Sequence, residues 1–198
     1  MNWKLILFIA LIGYGAYQHF NQRPVVYGDG VVAKQLPLQS NTNDVKFEHS
    51  GYTITPLQSF EIEARILSTK YYTFDRAADL SPVDLALGWG RMSDEAVLKK
   101  IEISQSGRFY YWRVNEFPIP RKEIETHSAN MHLVPANSQI ESLLKNVKPG
   151  QVVRIQGDLI QANAADGWHW KSSLSRNDTG AGACELVWVK SFSVKPLS

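Results

Sequence analysis

One stretch of the chain carries an apolar stripe at helical spacing between a start signal and a stop signal. Ile140, Leu143, Leu144 and Val147 recur at i, i+3, i+4 and i+7, Ser138 and Glu141 form a capping-box pattern ahead of them, and Pro149-Gly150 ends the run. Elsewhere the dominant period is two. In Phe60–Tyr72, Phe60, Ile62, Ala64 and Ile66 alternate with Glu61, Glu63 and Arg65, which is the pattern of a half-buried strand. Lys99–Ser104 and Arg108–Val114 read as two strands around a Ser106-Gly107 turn. Gln151–Gln161 is strand-like, with Gly157 marking a bulge or a close backbone approach, and Glu185–Val194 is the last strand. A short helix is expected after Ser93, where Asp94 and Glu95 lead and Lys99 and Lys100 trail, the charge order a helix dipole favours. One well-capped helix among strands predicts an α+β, β-rich fold.

The expected order is strand, strand, strand, helix, strand, strand. That is the order of the OB-fold, a five-stranded partly open barrel with one capped helix between its third and fourth strands. The phrase Gly150–Gly157 (GQVVRIQG) is similar to barrel strands of that family. An unrelated α+β sheet would show the same order.

The first twenty residues, MNWKLILFIALIGYGAYQHF, place one charge, Lys4, before an apolar run from Leu5 to Tyr17. As a helix, Trp3–Phe20 would reach about 27 Å, close to the hydrocarbon thickness of a bilayer. Residues 1–20 are therefore expected to form a signal-anchor transmembrane helix that binds the membrane through residues 3–20. A cleaved signal peptide and a buried core helix are the competing readings; bulky Tyr14, Tyr17, His19 and Phe20 argue against cleavage. The short basic start favours an inner-membrane protein with its remainder outside the cytoplasm. Residues 21–58, irregular in hydrophobicity and rich in Gln, Asn, Gly, Pro and Ser, are expected to be a tether, and residues 59–198 the folded domain.

Composition excludes several classes. Hydrophobic residues are 44 % and charged residues 20 % of the 198, which is globular rather than disordered or collagenous. Net charge is +2 with no basic block, so nucleic acid is not an expected partner. A single cysteine rules out an internal disulfide framework and a cysteine-based zinc cluster.

The phrases LGWGRMSDEAVL (87–98), HSANMHLVPAN (127–137) and DGWHWKSSLSRNDTGAGACELVWV (166–189) resemble those of a family of uncharacterised, single-pass bacterial envelope proteins. The resemblance covers roughly residues 60–190. It implies an envelope location and one soluble domain, and it carries no catalytic residues.

In an OB-like barrel, ligands meet the sheet between two particular loops. Here these are residues 73–98, with Asp84, Trp89, Arg91 and Asp94, and residues 162–185, with Asp166, Trp168, Trp170, Ser173, Arg176 and Asp178. Aromatic faces beside a guanidinium can stack on a sugar, a base or a peptide side chain. Trp89, Arg91, Trp168, Trp170, Arg176 and Asp178 are thus the expected contact residues for an envelope protein or glycan; packing in the core is the competing reading for the tryptophans. Asp178-Thr179-Gly180 is a single copy of a motif that aspartic proteases need twice, and a turn explains it. Cys184, approached through Gly180-Ala-Gly-Ala, loosely resembles the cysteine of L,D-transpeptidases and would need a histidine such as His132 to activate it. His127 and His132, five apart, match no metal-ligand set, no phosphate loop is present, and no cofactor is expected. The expected function is a membrane-anchored extracytoplasmic binding or assembly module. A cell-envelope hydrolase or acyl transferase using Cys184 and His132 is the alternative.

Overall fold

The computed structural model describes residues 3–4, 6–9, 12–13, 23–175 and 184–196. Its strands are β1 (Leu38–Ser40), β2 (Phe47–His49), β3 (Tyr52–Tyr71), β4 (Val83–Gly88), β5 (Glu102–Ser106), β6 (Phe109–Arg113), β7 (Ser128–Pro135), β8 (Val152–Asn163), β9 (His169–Lys171) and β10 (Glu185–Val194). Three short helices join them: α1 (Glu95–Leu98), α2 (Arg121–Thr126) and α3 (Ser138–Lys145). The result is a strand-rich α+β fold around a partly closed barrel.

Five strands make the ring. β3 pairs antiparallel with β4, β4 antiparallel with β7, β7 parallel with β10, β10 antiparallel with β8, and β8 antiparallel with β3 again. One strand can serve both ends because β3 is long: Thr53–Arg65 pair with β8, and Arg65–Tyr71 with β4. It bends at two register shifts, between Pro56 and Gln58 and between Ile66 and Ser68. Pro56, which has no N–H for the ladder, stands at the first of these. β1 and β2 extend the sheet along β3, β9 along β8, and β5–β6 form a separate two-stranded sheet.

The inner face holds the core. Phe60, Ile62, Ala64 and Ile66 of β3 meet Val83, Leu85 and Leu87 of β4, Met131 and Leu133 of β7, and Val187 and Val189 of β10. Ile140, Leu144 and Val147, from α3 and the turn after it, pack against the same cluster. The helix starts at Ser138 because the Asn137 side chain caps it, Oδ1 accepting from Ile140 N at 3.0 Å. Gly157 is a close approach: a Cβ there would stand 1.8 Å from the Trp188 carbonyl oxygen on β10.

Several expectations are corrected. The β5–β6 hairpin does not supply the second and third strands of the ring; those places belong to β4 and β7. β4 (VDLALG) is buried at every position, on its outward as well as its inward face, and Asp84 inside it reads as a loop residue. β7 is likewise buried at seven of eight positions. The tether is also corrected, since β1, β2 and the first seven residues of β3 lie within residues 21–58. Val25–Ala33 form a strap across the barrel surface. Val25 N donates to Pro149 O, Gly30 N to Asp94 Oδ1, Val32 N and Ala33 N to Ser93 Oγ, and Gly90 N to Ala33 O. Its grip is hydrogen bonding, so no apolar period marks it. Ser93 serves the strap, and Asp94 caps α1 by accepting from Ala96 N.

Most of the expected anchor, residues 1–20, lies outside the described residues. Of those described, Trp3, Ile6, Leu7, Phe8, Ile9 and Ile12 are helical and exposed. Among the described residues no helix is long and apolar enough to cross a membrane.

Candidate functional site

Alternation along β4 and β7 turns Asp84 and Ala86, with Ser128, Asn130 and His132, to the outer face of the ring; Asp84 stands opposite His132 and Ala86 opposite Asn130. The β5–β6 hairpin covers this polar row. Its turn, Gly107-Arg108, has both residues at positive φ (56° and 69°), the conformation a two-residue hairpin loop requires. That turn aims Arg108 inward. Arg108 Nη1 lies 3.0 Å from Asp84 Oδ1 and 2.8 Å from Ser81 O, Nη2 lies 2.8 Å from Asp75 Oδ1, and the guanidinium carbon sits 3.6 Å from the centre of the Tyr72 ring. Gln105 Nε2 donates to Asn130 Oδ1 at 2.6 Å, and Tyr110 Oη donates to Ser128 Oγ at 3.2 Å. Burial pushes the Tyr110 phenol up to about 12.

Beside the hairpin is an aromatic rim. The β3–β4 connection and the β8–β9 turn meet through a two-pronged ion pair, Arg76 Nη1 to Asp166 Oδ2 at 2.7 Å and Nη2 to Oδ1 at 2.8 Å. Asp166 Oδ1 also accepts from Trp168 N at 3.1 Å. The Arg76 hydrogen bonds, followed by that backbone bond, draw the Asp166 carboxyl down to about 2. Arg76 lies over the Trp168 ring at 5.1 Å. Trp168 contacts Tyr52 at 5.3 Å and Trp170 at 6.2 Å, and Trp170 lies 4.5 Å from the His132 ring, all between centroids. A cleft of about 420 Å³ adjoins Tyr72, lined also by His49, Asp79, Pro82, Asn137 and Glu141.

The expected contact residues do not form one surface. Trp89 is 1 % exposed and belongs to the inner core, because its extended backbone continues the inward alternation of Val83, Leu85 and Leu87. It is core, and its place in a contact surface is withdrawn. Arg91 is half exposed and pairs with Glu123 on α2, Nε to Oε1 at 2.7 Å. Trp168 and Trp170 are half-buried and pack with the outer-face cluster of Tyr52, Val134 and Trp188. Arg176, Asp178 and the whole Asp178-Thr179-Gly180 motif lie outside the described residues. Arg76, Asp75, Tyr72 and Arg108 are functional candidates that sequence reasoning missed. Arg76 follows a strand end, and no spacing ties it to Asp166, ninety residues on.

The cysteine alternative has a partial geometry. His132 Nδ1 is 2.9 Å from Asp84 Oδ1 but without the alignment of a hydrogen bond, so the carboxylate is near the imidazole without orienting it as a catalytic histidine is oriented. His132 is also 2 % exposed, with Trp170 against its ring. Leu186 pairs with His132 in the parallel β7–β10 register, and Cys184, half-buried, stands two residues before it. Among the described residues no group of three His, Cys, Asp or Glu is placed to hold a metal ion.

Comparison with family models, curated proteins and solved structures finds no match to this chain.

Proposed function

We propose that the chain is a membrane-anchored binding or assembly module of the bacterial cell envelope. Residues 1–20 act as its anchor, and an OB-like barrel is held outside the cytoplasm. Ring order supports the OB-like part of this reading: the first strand pairs with the second and fourth, the third runs parallel with the fifth, and the helix falls between the third and fourth. The exposed apolar residues of the first turns, and the resemblance to single-pass envelope proteins, support the anchor.

One observation carries the binding role. The face of β4 and β7 is closed by the chain's own hairpin, while the Arg76–Asp166 pair and Trp168 stand at a rim that joins the two loops expected to meet ligand. A half-buried indole with a fixed guanidinium and carboxylate beside it suits an uncharged polar partner such as a glycan, which offers C–H faces and hydroxyls together. The test is retention of the full chain in detergent on purified envelope glycan. Trp168→Ala and Arg76→Ala should lose retention while the barrel keeps its melting temperature within a few degrees; retention unchanged in both would sink the assignment of the rim.

The second reading, a hydrolase or acyl transferase using Cys184 and His132, has the nearness of Asp84 to His132 in its favour. Burial of His132 under Trp170 speaks against it. Thiol labelling of the folded full chain across pH separates the two. Reaction only after unfolding removes the enzyme, whereas fast reaction with a midpoint well below about 8.5 makes it the leading reading.

A further inference from the structure

We propose that the glycan site continues from the Trp168 rim onto the buried row of Asp84, Asn130 and His132, and that the β5–β6 hairpin is a lid over this second part, latched by Arg108. The ligand class is the same, an uncharged chain rich in hydroxyls. This rests on the glycan reading of the rim and adds to it a subsite and the device that uncovers it.

Continuity is the first argument. Trp168 contacts Trp170, Trp170 lies against the His132 ring, and His132 Nδ1 is 2.9 Å from Asp84 Oδ1. The row therefore begins where the rim ends. The Arg108 guanidinium carbon stands at the join, 5.8 Å from the centre of the Trp170 ring. An indole beside a carboxylate, an amide and an imidazole can meet the C–H face of a sugar ring and its hydroxyls together.

Unmet hydrogen bonding is the second. Ser81 Oγ, Gln105 Oε1 and His132 Nδ1 are buried and have no hydrogen-bond partner among the described residues. All three residues belong to the network around Arg108 and Asp84. Ser81 O accepts from Arg108 Nη1, Gln105 Nε2 donates to Asn130 Oδ1, and His132 adjoins Asp84. Buried polar atoms are normally paired, and three unpaired ones in one place call for a partner that the closed hairpin does not supply. Sugar hydroxyls both donate and accept, so they can serve an amide oxygen, a hydroxyl and a ring nitrogen alike.

The third is attachment. Among the described residues no main-chain hydrogen bond joins residues 102–113 to the ring. The base of the hairpin is apolar, with Ile103 and Trp112 packed among Met92, Val97, Ile119 and Ile124. Its tip is polar, with Arg108 held by Asp84, Asp75 and Ser81 O over the Tyr72 ring. Lifting the tip exchanges polar contacts for water and ligand, whereas lifting the base would expose core. The hairpin thus has a fixed end and a releasable one, and a ligand that binds only the open form draws the equilibrium toward it.

The experiment uses the full chain in detergent, and the probe is the purified envelope glycan of the rim test, sonicated to soluble fragments. A parent chain carrying Cys184→Ser is spin-labelled at Ser106→Cys, on the exposed hairpin tip, and at Lys46→Cys, in the exposed connection between β1 and β2. Fragments should add a second inter-label distance to the closed one. Asp75→Asn loosens the latch from its exposed side and leaves Asp84 and the row intact. Apparent affinity scales with the open fraction, so this variant should bind several-fold more tightly and show more of the second distance before any fragment is added. An unchanged distance at saturating fragment, with Asp75→Asn binding as the parent does and Trp168→Ala abolishing binding, overturns the lid and leaves the rim standing. Weaker binding by Asp75→Asn also overturns the lid, because the closed tip would then be part of the contact surface. A parent chain that binds no fragment overturns both readings.

Discussion

Arg108 and Asp84 form the contact that fastens the β5–β6 hairpin to the ring: Arg108 Nη1 lies 3.0 Å from an Asp84 oxygen that has no solvent exposure. His132 Nδ1 approaches the same oxygen at 2.9 Å. Removing the guanidinium strands a buried carboxylate. Arg108→Ala is therefore expected to destabilise the protein by roughly 3–5 kcal/mol, the usual cost of breaking a buried pair from one side. Adding Asp84→Asn should recover part of that loss, because an amide needs no counter-charge. Urea unfolding of the two variants measures it. A loss below about 1 kcal/mol for Arg108→Ala would mean that the pair behaves as a surface one.

Tyr110 gives the hairpin a limit in alkali. Burial raises its phenol to about 12 in the folded protein, against an ordinary 10 in the unfolded chain. The folded state holds the proton more tightly, so this contribution is complete below pH 10 and is lost as pH rises toward 12. Holding the proton that much more tightly is worth about 2–3 kcal/mol. Stability should fall over that window, and Tyr110→Phe should flatten the fall while losing the bond to Ser128. An equally steep decline in Tyr110→Phe would show that another group sets the alkaline limit.

Strands that keep exposed positions were legible in the sequence, and those with none were not. β8 and β10 were found within about two residues, because Gly157 and the run from Glu185 mark them. β4 and β7 lie between the inner core and the hairpin, so their outward residues are buried as well, and Asp84, Asn130 and His132 looked like loop or site residues although they alternate with apolar ones. The β5–β6 hairpin was read correctly as a hairpin, but its place over the ring rests on Arg108, Gln105 and Tyr110, contacts that leave no periodic trace. The rim was half legible. Trp168, Trp170 and Asp166 stood out by type, whereas Arg76 is tied to them only by the meeting of two distant loops.

The start of α3 separates two neighbouring hydroxyl and amide side chains. Sequence pattern favours Ser138 as the cap, but Asn137 Oδ1 accepts from Ile140 N at 3.0 Å. Asn137→Ala should cost about 1 kcal/mol, and Ser138→Ala a few tenths at most, since Ser138 is already inside the helix. The reverse ranking in thermal unfolding would return the cap to Ser138.

Gly157 has no room for any side chain. A methyl group there would meet the Trp188 carbonyl at 1.8 Å, and a backbone atom cannot swing away as a side chain can. Gly157→Ala should force β8 from β10 beside the register shift between Val189 and Ser191, and the variant should be unfolded or strongly destabilised. Amide exchange is the measurement. Intact protection of both strands in that variant would show that the ring can widen locally.

Acid should open the rim without unfolding the barrel. The Arg76 hydrogen bonds hold Asp166 down to about 2 in the folded protein, against an ordinary 3.8. A depressed carboxylate stabilises the folded arrangement above its unfolded value, and that contribution is lost as pH falls toward about 2. The pair is solvent-exposed, so its effect on global stability should be small. Its effect on the turn should be visible, because Asp166 also holds Trp168 N and Arg76 lies over the indole. Between pH 3.8 and 2 the Trp168 fluorescence should change while the circular dichroism of the strands holds. Arg76→Ala should show the acid-type fluorescence already at pH 7. With Trp168→Phe as the control for the other five tryptophans, a titration unchanged by Arg76→Ala would place its origin elsewhere in the chain.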